Sequence, residues 1–341
     1  MTNFLNNIPK YSVVSIIGLA KNVSKTTTLN YIIKNLKNYK LGLTSIGRDG
    51  EKYDVITQLP KPRIYIKKGT IIATARQSFE ASEVKMKILK KTVFNTPLGE
   101  ILLLEALSDG LIELAGPSIN SEVKQVCDKL LNLGCDLVLI DGAFDRRSFA
   151  SPLISQATIL STGASVSRDF QEVIEITKHT FNLLTLESEE NERIIKSANQ
   201  IITNAKVGII YNDFSTKKLE LSTALDSVEE ILTHLDNNSK YLVINGAITD
   251  LFLENFMEKS DIFKKIKILV SDTTKLFLSK ATFTKFSKKG GIIKTIKKIK
   301  IIMITVNPTS PLGYEFDKSN FLIELKKGLS VPIYDLGPCE Y

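Results

Sequence analysis

The segment Gly18–Asn30, GLAKNVSKTTTLN, constrains this chain more than any other. It follows an apolar run, Val13–Ile17, and opens a stretch of helical character from Thr26 to Leu36. An apolar strand, a tight loop ending in Lys-Thr-Thr, and then a helix is the order a phosphate-binding loop requires. Backbone N–H groups of the loop and the helix N-terminus face the anion, the lysine reaches the β/γ oxygens, and the first threonine hydroxyl holds Mg²⁺. The residues in those positions are Gly18, Lys21, Asn22, Val23, Ser24, Lys25, Thr26 and Thr27, with Lys25 as the catalytic cation and Thr26 as a metal ligand. The competing explanation is an ordinary strand-turn-helix with a chance lysine.

The spacing departs from the P-loop form G-x-x-x-x-G-K-[ST]. Ser24 stands where a glycine usually precedes the lysine, and Gly18 lies seven residues before Lys25. A wider loop of this kind resembles the G-T-D-x-x-V-G-K-T loop of dethiobiotin synthetases, with Val23 in the matching place. Serine keeps its N–H but tolerates unusual backbone angles less well than glycine. Lys21 precedes Lys25 by four residues. In related ATPases a second loop lysine reaches the phosphates of a partner subunit, and here the offset is one residue short of that signature.

A nucleotide site of this type needs acidic groups for its metal. Asp141 ends the apolar run Leu137–Ile140, the Walker B position, where a carboxylate holds Mg²⁺ directly or through water. Asp49, Glu51 and Asp54 follow the second expected strand. Asp49 is the first choice among them, as a metal ligand and catalytic carboxylate, because Arg48-Asp49-Gly50 is a compact turn that aims a side chain inward. A strand-end cap at Asp141 and a solvated acidic loop around Asp49 are the alternatives. Arg146 and Arg147 fit either stabilisation of a transferred phosphoryl group or plain surface positions.

Further along, apolar runs alternate with helical periodicity, which predicts an α/β protein with a mostly parallel sheet like that of P-loop NTPases. Strands are expected at Leu41–Ile46, Leu137–Ile140, Ala157–Leu160, Val207–Tyr211, Tyr241–Ile244, Ile266–Val270, Ile299–Val306 and Val331–Tyr334. Helices are clearest at Ser121–Leu133, Asp169–Leu184 and Ser222–Leu235. A β-rich insertion is expected over about residues 60–115, with Ile64–Ile66 and Thr70–Ala73 forming a hairpin around Lys67-Lys68-Gly69. ESEENER, within a soft boundary at Leu184–Ala198, reads as an exposed joint. It divides a nucleotide-binding domain, residues 1–190, from a second α/β lobe, residues 191–341.

Composition narrows the function classes. At 341 residues, 43% hydrophobic and 24% charged, the chain has the balance of a folded soluble protein. No apolar run approaches the roughly 20 residues of a membrane span, and the first residues, MTNFLNNIPKYS, lack the pattern of a secretory leader. A cytoplasmic location follows as the expectation, with Cys127, Cys135 and Cys339 as free thiols. The formal charge of +8 comes from lysine spread along the chain, so nucleic-acid binding is not expected, although Lys285–Lys300 is locally dense.

Seven segments together resemble one bacterial family: SIIGLAKNVSKTTTLN, LTSIGRDGEKYD, PKPRIYIKKGTIIAT, LAGPS, LIDGAFDRRS, STGASVSRD and ITVNPTSP. The chain is similar to the P-loop subunit of the lysine 5,6-aminomutase reactivase. That resemblance implies an ATP- and Mg²⁺-dependent ATPase acting as a chaperone for a lysine aminomutase that uses adenosylcobalamin and pyridoxal phosphate. Nucleotide turnover would release damaged cobalamin, with a second, larger ATPase subunit as partner. Residues alone also allow an ATP-dependent small-molecule ligase or kinase resembling dethiobiotin synthetase, or a non-catalytic nucleotide sensor.

Overall fold

A computed structural model describes residues 2–47, 63–142, 150–225 and 227–337. The chain forms a mixed α/β protein with a large, mostly parallel central sheet, and it divides into two compact units. The first takes residues 1–178 and 300–341, the second His179–Ile299.

In the first unit nine strands lie in the order Ile333–Asp335, Ile301–Asn307, Ala157–Gly163, Val13–Gly18, Leu137–Asp141, Leu41–Ser45, Ile71–Ala75, Gly99–Ala106 and Met86–Thr96. The first seven of these run parallel, Gly99–Ala106 is antiparallel to Ile71–Ala75, and Met86–Thr96 is antiparallel to Gly99–Ala106. The near-continuous apolar composition of the central strands has a direct cause. Alternate side chains point to opposite faces, and both faces are covered. Val14, Ile16, Leu137 and Leu139 enter one core cluster with Leu29, Ile32 and Ile33 of the Lys25–Asn35 helix. Val13, Val138 and Ile140 enter another with Val123, Val126 and Leu130 of the Asn120–Asn132 helix. Each such aliphatic side chain contributes about 1.5–3 kcal/mol on full burial.

The second unit is built on a five-stranded sheet in the order Thr216–Leu219, Val207–Tyr211, Ser239–Ile244, Lys267–Val270 and Ile292–Thr295. The last three run parallel. Phe252 and Phe256 of the Asp250–Lys259 helix, with Phe263 and Phe286, fill its main core. No helix among the described residues is long and apolar enough to cross a membrane.

Three expectations are corrected. Ile64–Ile66 and Ile71–Ala75 do not pair as a hairpin. The former is antiparallel to Gly110–Ile112, and the latter joins the central sheet beside Leu41–Ser45. Ile71–Ala75 is buried throughout, so only a position covered on both faces satisfies it. Residues 191–341 do not form one lobe, because Ile301–Asn307 returns to pair with Ala157–Gly163 in the first sheet. ESEENER is not a joint either. It lies inside the second unit, where Glu189 is buried and Asn191 caps the Glu192–Asn204 helix through Arg193 N and Ile194 N. Elsewhere Ser222–Leu235 shortens to the helix Val228–His234, and Lys285–Lys300 contributes to a helix, Lys280–Lys288, and to Ile292–Thr295.

Candidate functional site

The loop that leaves Val13–Gly18 lies where the sheet reverses its winding. Val13–Gly18 and Ala157–Gly163 are neighbours. The chain leaving the first goes to Leu41–Ser45 on one side, and the chain leaving the second returns to the sheet as Ile301–Asn307 on the other. Open α/β sheets bind ligands in the crevice at the carboxyl ends of such a strand pair.

Within the loop the backbone alternates in hand from residue to residue. Asn22 (φ 59°) and Ser24 (φ 68°) are left-handed, whereas Val23 between them is not, and Lys25 begins a right-handed helix. Alternation of this kind turns successive N–H groups toward one point and makes an anion-binding concavity. Among the described residues no protein acceptor meets the amides of Asn22, Val23, Ser24, Thr26 or Thr27. The partial positive charge of the helix N-terminus adds to the same field. Val23 is fully buried and anchors the loop, while Lys21, Asn22, Ser24, Lys25, Thr26 and Thr27 are partly exposed around it.

Lys25 lies across the mouth. Its Nζ donates to Ala20 O at 2.9 Å. Its stem covers Gly18 so closely that a Cβ there would sit 2.8 Å from Lys25 Cδ and 2.7 Å from Val23 Cγ2. Glycine at the strand end is therefore what lets the lysine fold over the loop.

Ser24 is held left-handed from below. Thr28 Oγ1 donates to Ser24 O at 2.8 Å and lies 2.9 Å from Thr305 Oγ1, which is 2.8 Å from Ser161 Oγ. Thr28, Thr305 and Ser161 are all fully buried. Two neighbouring strand ends hold the top of the loop: Ser165 Oγ and Asn307 Nδ2 each donate to Asn22 O at 3.4 Å. These ends are also locked to each other, since Ala164 N donates to Asn307 O at 2.8 Å and a Cβ on Gly163 would stand 2.1 Å from that oxygen.

The chain matches no protein-family model, no curated protein and no solved structure.

Asp141 stands in register with Ile16 of the first strand and Ser45 of the second, two residues short of the level of Gly18. Gly142 N donates to Ile16 O at 2.9 Å, which pins the chain there to the first strand. Asp141 is half-buried, with its Oδ1 enclosed, and the Thr26 hydroxyl meets no protein partner among the described residues; both are oxygen donors of the kind Mg²⁺ takes. Asp49, Glu51, Asp54, Arg146 and Arg147 lie outside the described residues.

The sequence did not single out Thr28, Ser161 or Thr305 as parts of this site. Their signal is hydroxyls in strands and a helix otherwise filled by aliphatic residues, and it gains meaning only once the three positions are adjacent. Cys127 and Cys135 play no part here. Both are buried free thiols, pushed by burial to about 12 and about 11 respectively.

Proposed function

We propose that the Gly18–Thr27 loop binds the phosphates of ATP with Mg²⁺, and that the chain is the P-loop subunit of an ATP-dependent reactivating factor for an adenosylcobalamin-dependent lysine aminomutase. The observation that carries the nucleotide reading is the set of amides at Asn22–Ser24 and Thr26–Thr27, turned by alternating backbone hand and without protein acceptors. The alternating backbone hand turns those donors toward one point, the arrangement an anion needs. Binding would move Lys25 Nζ from Ala20 O to the β/γ oxygens, while Thr26 and Asp141 hold the metal and Asp49 orients the attacking water. Mg²⁺ held there would supply positive charge to offset that of the phosphoryl group. The aminomutase client, the larger ATPase partner and the cytoplasmic setting rest on the sequence resemblance.

Titration calorimetry with ATP and GTP, with and without Mg²⁺, on the wild-type chain and Lys25→Ala tests the nucleotide reading. Equal binding by both proteins removes it. Recovery of activity by an inactivated lysine aminomutase, dependent on ATP and on this chain, tests the client. A second reading, a sensor that binds nucleotide without turning it over, is favoured by the left-handed Ser24. Tight binding with no phosphate release would select it.

A further inference from the structure

The nine-stranded sheet ends on Met86–Thr96, an 11-residue strand antiparallel to Gly99–Ala106. Among the described residues no strand pairs with its other side, so a row of backbone N–H and C=O groups faces outward. Met86, Leu89 and Phe94 join the core, but Val93 is 84% exposed and Ile88 42% exposed. Lys85, Lys87, Lys90 and Lys91 lie on this segment, and no acidic residue occurs from Lys85 to Thr96. The carboxylates on the neighbouring strand neutralise them only in part. Glu100 is taken by Arg76, with Lys91 Nζ 4.0 Å away, and Glu105 stands opposite Lys87 without closing an ion pair.

A second copy is a poor occupant. Antiparallel self-pairing centred on Leu89 would set Lys87 against Lys91, and like charges directly opposite one another destabilise a ladder. Edge lysines deter neutral and basic strands as well, so acidity becomes the selecting property. The ladder is irregular between Ile88 and Lys90 and between Lys91 and Asn95. These bends interrupt the outer row and limit an added strand to a short run. We propose that this edge accepts a short, extended, acidic segment of another protein by strand addition. Its backbone would continue the sheet, its carboxylates would meet Lys87, Lys90 and Lys91, and an apolar side chain would cover Val93.

The test uses the full chain and three fluorescein-labelled octapeptides: alternating Glu-Val, alternating Lys-Val, and Glu-Val methylated on alternate backbone nitrogens. Anisotropy gives affinity, and hydrogen exchange locates protection. The Glu-Val peptide is expected to bind about tenfold or more tightly than either of the others, with new protection confined to Met86–Thr96. The triple variant Lys87→Glu, Lys90→Glu, Lys91→Glu, checked for native circular dichroism, should prefer Lys-Val instead. Equal binding of the methylated peptide, protection elsewhere, absence of binding, or self-association of the wild-type chain through this strand would each overturn the proposal.

Discussion

Lys25 Nζ donates to the carbonyl oxygen of Ala20 at 2.9 Å, so the lysine closes the loop that it terminates. The bond joins two points of one short segment and leaves the ammonium at the helix N-terminus, where an anion also profits from the helix dipole. A bound polyphosphate would replace a neutral carbonyl with charged oxygens, a stronger acceptor for an ammonium.

Lys25→Ala should therefore weaken nucleotide binding by about 10- to 100-fold, the range expected when a hydrogen bond between charged groups is lost. Stability should change little, because the side chain is partly exposed. Calorimetric titration with Mg-ATP measures the first effect and urea unfolding the second.

Ser24→Gly should stabilise the chain. A left-handed L-residue costs roughly 1–2 kcal/mol, and part of that gain is offset by the greater freedom of glycine when unfolded. A net gain of about 0.5–1 kcal/mol is expected in urea unfolding, with unchanged or tighter anion binding. Loss of stability would mean that the Ser24 hydroxyl contributes more than its backbone angle costs.

Thr305→Val keeps the shape of a buried residue and breaks the hydroxyl chain from Ser161 to Thr28. Leaving buried hydroxyls short of a partner costs about 1–3 kcal/mol. Urea unfolding should register that loss. Titration should also show weaker nucleotide binding, because Thr28 is the group that holds Ser24 O.

Acid should weaken the second unit through Glu189. Burial raises its carboxyl, but Tyr241 Oη at 2.5 Å, the amide of Asn191 at 3.0 Å and Lys294 Nζ at 3.4 Å together bring it below its ordinary value of 4.5. A carboxyl lowered in the folded state stabilises above its unfolded value, and that contribution disappears as pH falls through the folded value. Tyr241→Phe removes one of the lowering partners. The variant should be less stable at neutral pH and should lose ellipticity at a higher pH than the wild-type chain during acid titration.

Much of the fold is legible locally. Val207–Tyr211 matches its expected bounds, and Phe170–Leu184 and Asn120–Asn132 lie within a residue of theirs, because periodicity and buried runs are properties of neighbouring residues. The hairpin expected around Gly69 failed for a different reason. A turn signal says that the chain reverses but not which strand receives it, and Ile71–Ala75 found a better-covered place beside Leu41–Ser45.

The order of strand, loop, lysine and helix from Val13 to Asn35 is encoded locally, since each step depends on residues a few places apart. Tertiary structure alone placed Asp141 beside Ile16, Thr305 against Thr28 and Asn307 over Asn22. Those neighbours are separated by more than a hundred residues of chain. They meet because their strands must bury two apolar faces in one sheet, and no local pattern specifies which strands will share it.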